Sequence, residues 1–75
     1  MSQRLPAVRP RQLIRVLEKR GWKLVRSKGS HHHFRHPDNS NLVVVPVHPR
    51  DIKRGTLSAI LSDAGISREE FRKLV

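Results

Sequence analysis

Between Gly21 and Pro49 the chain offers three runs of β-forming residues with only short turns to join them. WKLVRSK (Trp22 to Lys28), HHHFRH (His31 to His36) and LVVVPVH (Leu42 to His48) are separated by a tight turn at Lys28-Gly29-Ser30 and by the turn-former cluster Pro37-Asp38-Asn39-Ser40-Asn41. A parallel crossover needs a dozen or more residues, so these runs can pair only as an antiparallel meander. LVVVPVH is the strongest strand signal of the three. In the first run Trp22 and Leu24 are the core-facing candidates, although the alternation with Lys23 and Val25 is less clean.

Helical period flanks the meander on both sides. Pro10 can open a helix because its missing N–H would be unpaired there anyway. Leu13, Ile14 and Leu17 then recur at helical spacing with Val16 beside them, and Gly21 supplies the stop, so a helix is predicted from about Pro10 to Arg20. Beyond His48-Pro49, Leu57, Ile60, Leu61 and Ala64 line one face of a second helix ending at Gly65. Ser67 and Glu70 form a capping-box pattern for a last short helix carrying Phe71 and Leu74. The predicted class is α+β in the order α-β-β-β-α with a helical tail: a three-stranded antiparallel sheet with its helices on one face and the other face open. Trp22, Phe34, Leu57 and Ile60 belong to its core.

At 75 residues this is one small domain, residues 1–75. A chain of that size buries about 60% of its unfolded surface, so the core is modest. Residues 1–9 carry Pro6 and no periodic apolar pattern, and read as a flexible lead. Sixteen Lys and Arg against six Asp and Glu give a net charge of +10, spread along the chain. Such an excess points to a polyanion, nucleic acid first, with plain solubility as the alternative. No apolar run is long enough to span a bilayer and no secretory core follows the N-terminal basic residues, so the expected location is cytoplasmic, without a membrane. There are no cysteines, which excludes disulfides and thiolate metal sites.

KGSHHHFRHPD (Lys28 to Asp38) holds four of the five histidines. Successive side chains of a strand alternate, so if Phe34 packs inward it takes His32 with it and leaves His31 and His33 on the open face. Two histidines without a third ligand at a recognisable spacing, beside Arg26, Lys28 and Arg35, make a poor cation site, and no metal or other cofactor is expected. The remaining readings are ordinary exposed histidines or catalysis. An imidazole can take the proton of a ribose 2′-hydroxyl near neutral pH, and neighbouring cations can stabilise the charge that builds on the phosphate. A second basic group, Arg50, Lys53 and Arg54, precedes Gly55-Thr56-Leu57. A helix N-terminus beside cations attracts phosphate, while the bland alternative is a solvated loop.

Taken together, Leu13-Ile14 through Leu17 and Gly21-Trp22, then VRSKGSHHHFRHPD, VVVPVH and IKRGTLSAILSDAGIS resemble the HicA toxins of bacterial HicA–HicB toxin–antitoxin pairs, from about Arg11 to Phe71. The combination is specific: Gly-Ser-His with an aromatic three residues after the His, Val-Pro-Val-His, and Gly-Thr-Leu-x-x-Ile-Leu followed by Ala-Gly. The resemblance implies a fold similar to double-stranded RNA-binding domains, an endoribonuclease that cleaves mRNA (an mRNA interferase), and a HicB antitoxin protein that covers the active face. It maps the catalytic histidine, the first after Gly-Ser, onto His31. Lys28 and His33 stand as accessory candidates, and Arg26, Arg35, Arg50, Lys53 and Arg54 as RNA-binding candidates. His48 is either a second acid or the end of its strand, with the latter preferred, and Ser30 is assigned to the turn. The runner-up is a non-catalytic RNA-binding module; a purely structural protein partner is the third class.

Overall fold

A computed structural model describes residues 4–75. Its elements are α1 (Pro10–Lys19), β1 (Lys23–Lys28), β2 (His31–His36), β3 (Asn39–Pro46), α2 (Arg54–Ala64) and α3 (Arg68–Leu74). The strands form one antiparallel sheet in the order β1-β2-β3, as the short connections require. The predicted α+β class and element order hold.

The helices start and stop for local reasons. Pro10 is the first residue of α1, and the Arg9 amide donates to Gln12 Oε1 at 2.8 Å, which satisfies one donor next to the helix start. At the other end the Gly21 amide donates to the Glu18 carbonyl and the Trp22 amide to the Leu17 carbonyl, both at 3.0 Å, the two bonds of a Schellman motif. Gly21 has φ +90°, a conformation that side-chain-bearing residues rarely adopt. The same pair of bonds closes α2, from Gly65 to Ser62 and from Ile66 to Leu61. Trp22 and Ile66, the residues that follow the glycine in each motif, are both buried. α3 is capped by Ser67, whose Oγ accepts from the Glu70 amide at 3.1 Å.

Phe34, Val43 and Val45 on the covered face of the sheet pack with Leu13, Val16 and Leu17 of α1, Leu57, Ile60 and Leu61 of α2, and Phe71 of α3. Among the described residues every buried side chain is apolar. Burying such side chains is the main favourable contribution to folding at this size, on the order of 1.5–3 kcal/mol for each large one.

Three sequence expectations need correction. The flexible lead is packed from Leu5 onward: Leu5 and Val8 are 4% and 1% exposed within the core, and the Ile52 amide donates to the Val8 carbonyl at 2.8 Å. Two apolar residues three apart, ahead of a proline, carry too little periodicity to be read as core. Met1 to Gln3 of that lead lie outside the described residues. Leu24 does not enter the core and is 50% exposed. It pairs with Phe34, but β1 is an edge strand with a bulge between Leu24 and Arg26, and the helices pack on β3 instead. Finally, the second turn is only Pro37-Asp38, because β3 begins at Asn39, opposite His36. Asn39 and Asn41 serve in the strand: both side-chain amides donate to the Asp63 carbonyl, at 3.0 and 2.9 Å, and satisfy an end carbonyl of α2.

Candidate active site

Lys28 and His31 face each other across the β1–β2 hairpin, joined by Gly29 and Ser30. Gly29 has φ +58° and no described residue other than glycine has positive φ, so the pair follows the pattern of a type II′ turn, whose twist suits a two-residue hairpin. The turn is tied to the residue just past the third strand as well, because the Val47 amide donates to the Ser30 carbonyl at 2.6 Å. His31 is exposed, at the first position of a strand whose register is fixed on both sides: Lys28 on β1 and Pro46 on β3. A side chain that reacts with a bound polymer needs this combination of exposure and a rigid base.

The next pair of rows repeats the arrangement. His33, half-buried, stands between Arg26 of β1 and Val44 of β3. Arg35 is exposed opposite Lys23, and its guanidinium donates to the Ser40 carbonyl at 3.1 Å. The structure therefore brings Arg26, Lys28, His31, His33 and Arg35 onto one face. Lys28, Gly29, Ser30, His31, His33 and Val44 line an open concavity of about 610 Å³. From Lys23 to His36 there is no acidic residue, so the cations of this face act together on any approaching anion.

His32 alternates to the other side, as expected from Phe34. It pairs with Val45 and lines a groove with Arg11, Ile14 and Arg15 of α1. His48 lies past the end of β3, and its Nδ1 accepts from the Arg50 amide at 3.3 Å, a turn role in keeping with the end of its strand. Arg50 and Lys53 are exposed in the segment between β3 and α2, and Arg54 is the first residue of α2. Arg54 lines a separate concavity with Arg4, Leu5, Gly55, Ser58 and Arg68. Lys53 caps α2, whose first turn carries no acid, so that end of the helix is electropositive.

Two features escaped the sequence reading in different ways. His36 bridges α1 to the second hairpin: its Nδ1 accepts from the Asp38 amide and its Nε2 bonds the Arg20 carbonyl, each at 2.9 Å, with the ring 5.3 Å from that of Trp22. Nothing in HHHFRH distinguishes His36 from its neighbours. Val44 and Leu42, by contrast, carried a signal as the alternate members of LVVVPV: with Val43 and Val45 covered, they fall on the open face. Among the described residues no three His, Asp or Glu side chains gather as a ligand set, and no helix is long and apolar enough to cross a membrane.

A family model described as the HicA toxin of bacterial toxin-antitoxin matches residues 10–66, more than half of the chain. The chain belongs to the HicA toxin family. It is therefore a toxin component of a toxin–antitoxin system. A search of curated proteins found no match. The family match starts at Pro10, where α1 begins, and ends at Ile66, the buried residue that completes the closure of α2. The packed lead and α3 lie outside the HicA match and add Leu5, Val8 and Phe71 to its core.

Proposed function

We propose that this HicA toxin is a metal-independent endoribonuclease that cleaves mRNA in the cytoplasm and is neutralised by a HicB-type antitoxin. The observation that carries the reading is the pairing of an exposed His31 with Lys28 on a hairpin held by the Ser30–Val47 bond, in the middle of a cationic face. His31 takes the proton of a ribose 2′-hydroxyl. The 2′-oxygen then forms a bond to the adjacent phosphorus as the bond to the 5′-oxygen breaks, and the leaving oxygen takes up a proton. Lys28, with Arg26 and Arg35 on the same face, stabilises the negative charge on the non-bridging oxygens. Arg50, Lys53 and Arg54 hold more distant phosphates at the start of α2. Because the nucleophile belongs to the substrate, RNA is cut and DNA is not.

The products test the mechanism. Cleavage persists in excess EDTA and leaves 2′,3′-cyclic phosphate and 5′-hydroxyl ends. Activity that stops in EDTA and returns with magnesium or zinc, or ends that carry a 5′-phosphate, rules it out. RNA retained without any new ends makes the protein an RNA-binding module instead.

A further inference from the structure

The pairing register lays two rows of side chains across the open face: Lys28, His31 and Pro46 in one, Arg26, His33 and Val44 in the other. Rows two residues apart on a strand are separated by about 6.6 Å, at about 3.3 Å per residue. The first row carries the proposed chemistry. The second has a different composition, a half-buried imidazole between a guanidinium and an aliphatic side chain. Leu42 continues the aliphatic side of this face and is 39% exposed. The helices pack against the opposite face, where Phe34, Val43 and Val45 are buried, so the apolar surface at Val44 and Leu42 is left to solvent. The concavity at His31 extends to His33 and Val44, and the space over Gly29 is open enough that an added Cβ would meet nothing within 4 Å.

A flat ring beside an aliphatic side chain, with a cation next to it, suits an unpaired nucleobase. The base stacks on the imidazole, its edge lies against Val44, and the guanidinium meets the backbone phosphate. A base inside a duplex does not offer its face. We propose that His33 and Val44 form a nucleobase subsite next to the scissile phosphate, so that the toxin takes its RNA as an unpaired strand. The proposal rests on the reading of His31 as the site of cleavage. The cations of the face, with no acid from Lys23 to His36, suit the phosphates on either side of such a base, and the flat plane of the base is matched by the His33 ring.

The test uses one RNA sequence, supplied as a free strand or annealed to a 2′-O-methyl complement that cannot be cut. The full-length wild type, His33→Ala, His33→Phe and Val44→Ser are compared once circular dichroism shows each to be folded. The free strand is cut much faster than the duplex. His33→Ala raises KM about fivefold to a hundredfold, the range that stacking of one base supplies, with little change in kcat. His33→Phe restores KM because its ring keeps the platform, and Val44→Ser shifts KM in the same direction as His33→Ala. A fall in kcat in both His33 variants at unchanged KM makes His33 an acid and overturns the subsite. So does equal cutting of strand and duplex, or unchanged RNA cleavage by all three variants with weakened antitoxin binding, which assigns the patch to a protein. If the wild type cuts neither RNA, the cleavage reading has failed and affinity decides the subsite. Preference for the free strand that disappears in His33→Ala upholds it, and equal affinity for both forms overturns it.

Discussion

Five histidines of one chemical type divide their work by where the backbone puts them. His31 and His33 face outward from β2, His32 lines a groove shared with α1, His48 closes a turn, and His36 joins two elements. In His36 both ring nitrogens are engaged. Since Nδ1 accepts from the Asp38 amide, Nε2 carries the hydrogen and donates to the Arg20 carbonyl. A Cβ on Gly21 would sit 2.9 Å from that Nε2, so the glycine both turns the chain and leaves room for the ring. His36→Ala is expected to lower stability by about 1–3 kcal/mol, because two hydrogen bonds and the packing on Trp22 disappear. Folded His36→Ala keeps its RNA chemistry. Urea unfolding followed by circular dichroism, beside single-turnover cleavage, checks both halves; a stability equal to that of the wild type would mean that the bridge contributes nothing.

The hairpins show what patterns of residues can and cannot reveal about elements. Turn chemistry at Gly29-Ser30 was legible because it demands a positive φ at the first loop position, which favours glycine. Asn39, Ser40 and Asn41 misled because turn-forming types also serve as hydrogen-bond donors to another element, and the Asp63 carbonyl that Asn39 and Asn41 reach is 24 and 22 residues away. The face of β2 followed from a single apolar anchor, Phe34, whereas β1 had none: its bulge and edge position set Leu24 free of the core. That contrast has a measurable consequence. Phe34→Ala should cost about 3–5 kcal/mol, and Leu24→Ser should stay within about 0.5 kcal/mol of wild type. Comparable losses in chemical denaturation would place Leu24 in the core after all. At the site, the clustering of Arg26, Lys28, His31, His33 and Arg35 was readable from alternation. That Arg54 shares a separate concavity with Arg4 and Arg68 was not, because it depends on where the lead and α3 pack.

For the molecule as a whole, the lead and the last helix complete a core that the meander and α1 and α2 alone leave open. Leu5 and Val8 enter from one end of the chain and Phe71 from the other. Arg9 ties the lead to the loop before α2, by a bond to the Pro49 carbonyl at 2.8 Å and an ion pair with Asp51 at 3.1 Å. Both charged groups are exposed, so the pair directs the loop more than it stabilises the fold. The net charge of +10 is thus displayed on at least two surfaces, the histidine face and the start of α2. If both meet phosphates, replacing Arg50, Lys53 or Arg54 by alanine lowers the salt slope of RNA affinity by about 0.7 for each phosphate no longer neutralised. An unchanged slope, with the fold intact, returns the start of α2 to a solvated surface. The central claim concerns the other surface, and one comparison bears on it most directly: single-turnover RNA cleavage by purified, folded wild type and His31→Ala. Because His31 is exposed and adds little to the core, the variant should fold, bind RNA and bind its antitoxin much as the wild type does, yet produce no cleavage. Full cleavage by His31→Ala would contradict the account, and its loss in His33→Ala instead would move the chemistry to the neighbouring row of the sheet.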